Sequence, residues 1–577
     1  MALNHLYYGD NLDVLRRHIK DDSVDLIYLD PPFQSNRDYN ILFAEHNGTR
    51  ASAQIKAFED TWRWDEAAAR MYAETVEAGG AVSRALQAFR TILGESDMLA
   101  YLAMMAPRLI ELHRALKPTG SLYLHCDPTA SHYLKMLLDA VFGPRNFRNE
   151  IIWKRTSSHN DARRKYADLS DTILFYTKGA SYTFHVQYRS YDAEYIRAFY
   201  RHANADGRCY RLSDLRSPSP RPNLTYDYKG YKPHPNGWAC SREKMEAYDR
   251  DGLLHFPKTP DGRIQFKRYL DTMPGVPIGN VWDDLPPIQS QAAERLGYPT
   301  QKPLSLLERI INTSTNPGDV VLDPFCGCGT AIDAAQRLGR RWTGIDVTAL
   351  AITIIKGRLE TAYHGKLDGT YTTVGEPTTA DDAAALAASD PYQFQLWALG
   401  LVGARPAELK KGADRGIDGR LYFHEQPNQP TKQIVLSVKA GKVDVSQVRD
   451  LCGVVEREKA AIGVLISLHE PTRPMRVEAA SAGHYMTGWD ELYPRIQVVT
   501  VGELLAGGHI AYPDWARDRT YKPAPRVADK PAATQQTLPE MTQRPARPQV
   551  ALQHALVEMP PKQITPARRR STKPPLP

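Results

Sequence analysis

The stretch Asp319-Val320-Val321-Leu322-Asp323-Pro324-Phe325-Cys326-Gly327-Cys328-Gly329-Thr330 constrains the fold more than any other in the chain. An apolar run, two glycines and the helical spacing from Ala331 to Leu338 predict strand, tight turn and helix. Glycine at the turn lets backbone approach a ligand closely. A second strand, Trp342-Thr343-Gly344-Ile345-Asp346-Val347, then delivers Asp346 roughly 20 residues after the turn, the separation at which such folds set a carboxylate on ribose hydroxyls. A lone glycine pair would be compatible with a plain strand-turn-helix. The acid at that distance points instead to an α/β sheet that binds a ligand at the carboxyl ends of its strands.

A second device lies far upstream. Val24-Asp25-Leu26-Ile27-Tyr28-Leu29-Asp30-Pro31-Pro32-Phe33 reads as a strand that ends in a carboxylate, two residues without a backbone N–H, and a ring. Asp30 can accept from an exocyclic NH2, the proline carbonyls stay free to accept, and Phe33 can stack on a planar base. In isolation, an ordinary strand end stopped by prolines accounts for the pattern equally well.

Taken together, the two devices resemble the amino-DNA methyltransferases of the beta arrangement, in which the Asp-Pro-Pro-aromatic motif precedes the Phe-x-Gly-x-Gly loop. Gly9-Asp10, Asp171 to Lys178 and Thr300-Gln301-Lys302-Pro303 extend the resemblance, which spans roughly Leu3 to Leu359. It implies a Rossmann-like, S-adenosylmethionine-dependent fold with permuted motif order, acting on an exocyclic amine of double-stranded DNA. The implied catalytic residues are Asp30, Pro31, Pro32 and Phe33. The implied cofactor residues are Asp10, Thr300, Lys302, Pro303, Asp323, Phe325, Gly327, Gly329 and Asp346, with Asp10 near the adenine of the cofactor and Thr300 to Pro303 beside its methionine end. Asp at the head of the motif leans toward adenine N6; N4-cytosine stays open.

Composition sets the outer bounds. A chain of 577 residues exceeds one ordinary core. Its 42% hydrophobic and 24% charged residues are those of a soluble protein, with no apolar run long enough to span a bilayer, so no membrane association and a cytoplasmic location are expected. The six cysteines lack C-x-x-C pairing, and Cys326 and Cys328 read as small loop residues rather than metal ligands. A net charge of +7 is compatible with nucleic acid without being diagnostic.

In chain order, Asp10 either caps the helix from Leu12 to Ile19 or serves the pocket, and the two roles are compatible. An insertion with Trp62, Trp64 and alanine-rich helical sequence precedes the amphipathic stretch Met98 to Leu116 and the strand Gly120 to Asp127, whose His125 and Asp127 suit either the lining of a base pocket or, the reading preferred, a satisfied strand-end pair. Between about 181 and 290, Tyr188, Arg189, Tyr191, Tyr195, Arg197, Tyr200 and Arg201 interleave rings with cations, and Arg216, Arg221, Lys229 and Lys232 continue the basic character. This suits phosphate contact and base stacking in an inserted target-recognition region; tyrosines packed under a solvated face are the structural alternative.

The first domain is therefore placed at 1–365 and a second at 379–510. In the second, Asp418 and Lys439 on adjacent strand ends before a helix resemble the core of Mrr-like restriction endonucleases, where acids hold Mg2+ and the lysine steadies the attacking water. The second acid is replaced by Ser437, a poor ligand for a hard cation unless Glu408 or Asp414 compensates. A bifunctional enzyme with Mg2+-dependent cleavage, Asp418 being the metal ligand, is thus an alternative to a DNA-binding or degenerate domain. A homodimer or a restriction-system partner is left open. The basic, proline-rich tail at 521–577 is expected to be disordered.

Overall fold

The computed structural model describes residues 3–32, 63–156, 166–259, 262–289, 292–296, 298, 300–407, 416–425, 431–513 and 525, and the backbone alone of Asp38–Ala44, Arg50–Glu59 and Ala516–Arg517. Phe33, Glu408, Asp414 and nearly all of the 521–577 tail lie outside the described residues.

A nine-stranded mixed sheet organises the first part of the chain. Its strands are β1 (Asn4–Tyr8), β2 (Val24–Leu29), β3 (Leu116–Cys126), β4 (Phe147–Lys154), β5 (Ser170–Thr177), β6 (Val281–Trp282), β7 (Val320–Asp323), β8 (Arg341–Asp346) and β9 (Tyr371–Val374). They lie in the order β6-β4-β5-β3-β2-β7-β8-β1-β9. Only β5 runs antiparallel to its neighbours. Strands covered on both faces read as continuous apolar runs, which is why Leu26, Ile27, Tyr28 and Leu29 carry no polar alternation.

Six helices supply the two covering layers and one link: α1 (Asn11–His18), α2 (Asp97–Ala115), α3 (Pro128–Phe142), α4 (Leu304–Ser314), α5 (Thr330–Arg337) and α6 (Ala349–Tyr363). Ile27, Leu29, Leu122 and Leu124 pack with α1, α2 and α3 on one face. Leu26, Tyr28, Tyr123 and Val321 pack with α4, α5 and α6 on the other. The seam between the two sequence halves is β2 against β7, with Leu26 beside Val321. Asp25 holds it, accepting from the Val320 N–H at 2.9 Å and from Lys117 Nζ at 2.8 Å. Because β1, β2, β3, β7 and β8 are parallel, their ends bring Asp10, Asp30, Asp127, Asp323 and Asp346 to one edge of the sheet.

The 34–97 segment contains a feature the sequence reading lacked, an antiparallel pairing of Asp38–Ala44 with Arg50–Glu59, ahead of its helices Glu66–Glu77 and Gly80–Leu93. Between β5 and β6, four short antiparallel strands and a small core of Leu215, Tyr228, Trp238, Met245, Leu254 and Ile264 form a module of their own. Part of its ring-and-cation pattern is internal packing. Tyr200 and Tyr210 are buried, Tyr191 stacks on Tyr195 at 4.9 Å, and Arg211 donates to the Tyr195 hydroxyl at 3.0 Å. Tyr188, Arg197, Arg201, Arg216, Arg221, Lys229 and Lys232 remain exposed.

A second sheet follows, with β10 (Arg405–Pro406), β11 (Gly419–His424), β12 (Lys432–Lys439), β13 (Ile462–Ser467) and β14 (Ile496–Thr500) in that spatial order. Helix α7 (Pro391–Leu401) precedes it and α8 (Val445–Glu458) crosses from β12 to β13. Helix α7 also lies against α6, with Ala349 buried among Phe394 and Trp397 and its N–H bonded to Gln393 Oε1 at 3.1 Å. No helix among the described residues is long and apolar enough to cross a membrane.

Candidate active site

A cleft of about 200 Å³ opens at the carboxyl edge of the sheet, lined by the ends of β1, β2, β7 and β8 and by the turn before α4. Of the residues singled out in the sequence, Asp10, Asp30, Pro32, Thr300, Lys302, Asp323, Phe325, Gly327 and Asp346 line it. Pro31 is buried beside them, Pro303 is buried at the start of α4, and Gly329 is buried as the residue that opens α5. Gly327 and Gly329 adopt φ of +49° and +76°, and a Cβ on Gly329 would sit 2.8 Å from Ile355 Cγ1. Glycine at the latter is required by both backbone and space.

Asp346 ties this loop to the next helix. Its Oδ1 accepts from the Thr348 N–H at 2.9 Å and hydroxyl at 2.8 Å, and its Oδ2 accepts from the Gly327 N–H at 2.9 Å. Each carboxylate oxygen has two acceptor sites, so Oδ2 keeps capacity for a hydroxyl in the cleft. Burial raises the Asp346 pKa against these bonds, and Asp323, which accepts from the Phe325 N–H at 3.1 Å, is raised well above the carboxylate range by burial, with Asp30 and Asp346 adding to it.

Asp10 caps its helix and lines the cleft. Its Oδ1 caps α1 through the Leu12 and Asp13 N–H groups, while its Oδ2 takes Arg108 Nη2 at 2.6 Å. Arg108, buried in α2, also donates to Asn11 Oδ1 at 2.5 Å, and Asn11 Nδ2 donates to the Pro324 carbonyl at 2.8 Å. The β1 turn is thereby coupled to the glycine loop. Sequence reasoning missed Arg108 and Asn11, although a lone arginine in the apolar run Met104 to Leu109 was the available signal: a buried guanidinium needs a carboxylate partner.

Neither Thr300 nor Ser305 caps α4 with its side chain. The helix starts at Pro303 without a side-chain cap, and Glu294 Oε2 takes the Leu304 N–H at 3.1 Å instead. Gln301 braces the turn, accepting from the Leu296 N–H and donating to the Glu294 carbonyl. This leaves Lys302 pointing inward, where its ammonium forms an ion pair with Asp30 Oδ2; the two side chains are 11% and 15% exposed.

Beneath Asp30 runs a buried chain of polar groups across three strands. The Tyr28 hydroxyl lies 3.0 Å from His125 Nδ1, and His125 Nε2 lies 3.2 Å from Asp171 Oδ2. An ionised Asp171 only accepts, so in a neutral ring Nε2 carries the hydrogen and Nδ1 accepts from Tyr28. Burial alone would raise the Asp171 carboxyl, but His125, with Lys302 and Arg155 nearby, holds it below its ordinary value. His125 thus pairs with Asp171 and Tyr28, whereas Asp127 caps α3.

In the second domain Asp418 and Lys439 do converge, with Nζ 3.7 Å from Oδ2. The carboxylate, however, is already served by protein donors: Gln395 Nε2 at 2.9 Å, Ser437 Oγ at 3.1 Å and the Val438 N–H at 2.7 Å. Ser437 donates to Asp418 where a second acid would have joined it on a cation. Among the described residues no three His, Cys, Asp or Glu side chains are grouped to hold a metal, so the Asp418 metal assignment and its Mg2+ find no support.

A glycine loop and strand-end acids on a mixed sheet, with an Asp-Pro-Pro turn across the cleft, define a methyltransferase-like α/β protein. Residues 24–357 match the N6/N4 family described as DNA methylase, and the chain belongs to that family. Residues 393–506 match a family described as NACHT-associated inactive restriction endonuclease 1, so the second domain is restriction-endonuclease-like and of an inactive type, which counts against the Mg2+-dependent cleavage alternative. Among curated relatives, the type II methyltransferase M.EcaI of Enterobacter cloacae is 30% identical over 62% of this chain and 69% of its own length. The StyLTI Mod subunit, a type III restriction-modification enzyme of Salmonella typhimurium, is 29% identical over 57% of this chain and 49% of its own. The DNA adenine methyltransferase YhdJ of Escherichia coli is 25% identical over 62% and 83%.

Proposed function

We propose that the protein transfers a methyl group from S-adenosylmethionine to the N6 amine of adenine at a specific DNA sequence, within a restriction-modification system. The observation that carries this reading is the convergence of Asp30, at the end of β2, with the Gly327 loop and Asp346 around one cleft. The cleft suits the donor: Asp346 has spare acceptor capacity for a ribose hydroxyl, and the positive-φ glycines leave room at the loop. When bound, the sulfonium supplies an electrophilic methyl group.

An exocyclic amine delocalises its lone pair into the ring and is a weak nucleophile. Asp30 Oδ1 and the Pro31 carbonyl, accepting its two hydrogens, favour a pyramidal nitrogen and stabilise the positive charge that grows on it. Alignment of amine and donor can contribute roughly 7–11 kcal/mol in the best intramolecular cases. The base must leave the helix to reach Asp30, and the 181–290 module, with its exposed cations, is assigned to holding the DNA. Domain limits of 1–365 and 379–510 accompany this proposal, as does Phe33 on the face of the base. The adenine assignment draws on the Asp-headed motif and on the similarity to the DNA adenine methyltransferase YhdJ.

The test is incubation with unmethylated DNA and labelled S-adenosylmethionine, followed by digestion to nucleosides. Label in N6-methyladenine is expected. Label in N4-methylcytosine would keep the mechanism and change the base. Asp30→Ala is expected to retain donor binding within about threefold and to lose transfer by at least a hundredfold, and comparable turnover would sink the assignment.

A further inference from the structure

We infer that Lys302 is a positioning residue for Asp30, and does not serve as a ligand of the methyl donor. The inference rests on the catalytic role proposed for Asp30. The lysine leaves the turn before α4 with its neighbours committed elsewhere: Gln301 is bonded to Glu294 and Leu296, and Pro303 opens the helix. Its ammonium pairs with Asp30 Oδ2, and both groups are largely withdrawn from water. At this depth an ion pair is screened little by salt, and each partner restricts the rotamer of the other.

The chemical consequence follows from counting acceptor sites. An amine being methylated needs one carboxylate oxygen, directed at its hydrogen, while a freely rotating carboxylate presents either oxygen at many angles. With Oδ2 held by Lys302, Oδ1 is the oxygen turned to the substrate, in one orientation. Lys302 also offsets the crowding of negative charge around the site. Asp323 faces Asp30 from β7, Asp171 lies near the ammonium from the other side of β2, on β5, and Asp346 faces Asp323 from β8. Tyr28 and Tyr298 face Asp30 as neutral hydroxyls whose ionisation burial suppresses. Lys302 is thus a cation that Asp30 shares with Asp323 and Asp171, and removing it would take from Asp30 its ion-pair partner.

A donor ligand and a partner of Asp30 predict opposite kinetic signatures. With Lys302→Met, S-adenosylmethionine affinity measured by calorimetry is expected to stay within about threefold, while the single-turnover rate at saturating donor falls by a hundredfold or more. Lys302→Arg, which keeps a cation able to bond one carboxylate oxygen, is expected to recover at least tenfold of that loss. Donor affinity weakened tenfold or more in both variants, with the saturating rate preserved, would make Lys302 a donor ligand and overturn the inference. An unchanged rate in Lys302→Met would overturn it as well. If Lys302→Met does not fold, Lys302→Arg decides alone: weakened donor binding overturns the inference, and intact binding with a reduced rate upholds it. Failure of the unaltered protein to label any amine base would instead strike the proposed function, and calorimetry separates the two cases because it needs no transfer.

Discussion

Asp323 sits almost fully buried with one hydrogen-bond donor, the Phe325 N–H, and with burial raising its pKa. A carboxyl raised in the fold favours folding below its unfolded pKa, and that advantage is lost as pH climbs toward and through the raised value, so the acid weighs against the fold more at neutral than at acid pH. Asp323→Asn keeps an acceptor for the Phe325 N–H and removes the titrating group. It is expected to stabilise the protein by roughly 0.5–2 kcal/mol at pH 7.5, with the gain shrinking toward pH 4. Thermal melts across that range check it, and an unchanged Tm at pH 7.5 would refute it. Asp171 has the opposite sign. Held low by His125, it contributes stability above its unfolded pKa that fades as pH falls through the lowered value. Asp171→Asn is therefore expected to cost about 3 kcal/mol at neutral pH, as for a broken buried pair, and little at pH 2–3.

Among the elements, the strands and the helices that cover them were legible because burial on both faces leaves a plain apolar signature. The helices expected over Leu12 to Ile19 and Ala331 to Leu338 are Asn11–His18 and Thr330–Arg337. The site was legible where a residue's chemistry depends on its own neighbours, as with Asp30, Gly327 and Asp346. It was illegible where function needs a partner from another element. Arg108 on α2, the Tyr28–His125–Asp171 chain and the Lys302–Asp30 pair are tertiary facts, with separations of 97 to 272 residues for the Tyr28–His125 and Lys302–Asp30 contacts. The α6–α7 contact is another. The Ala349 N–H is bonded to Gln393, and a Cβ on Gly400 would meet Thr353 Oγ1 at 2.8 Å. Because α6 follows directly on Asp346 and Thr348, Gly400→Leu is expected to destabilise the protein by about 1–3 kcal/mol and to weaken donor binding several-fold. Donor affinity equal to that of the unaltered protein would show that the second domain is mechanically silent toward the cleft.

For the whole molecule, a methylase sheet is joined to a restriction-endonuclease-like sheet whose Asp418 is consumed by protein donors. Asp418→Asn is expected to leave methylation unchanged and to cost about 1–3 kcal/mol, because its amide would face donors that need an acceptor. A parallel incubation of the unaltered chain with Mg2+ and DNA is expected to yield no cleavage; cutting that Asp418→Asn abolishes would restore the nuclease reading. The seam of β2 on β7 carries a consequence for how the chain reaches this state. Asp25 waits for a backbone N–H that lies 295 residues downstream. At roughly 5–20 residues per second, a ribosome needs some 15–60 s to supply it. During that interval the apolar run of β2 lacks both neighbours until Leu116–Cys126 is made, and one of them thereafter. The nascent protein therefore spends its synthesis with an open strand edge, a period in which a chaperone or the partly made sheet itself must shield it.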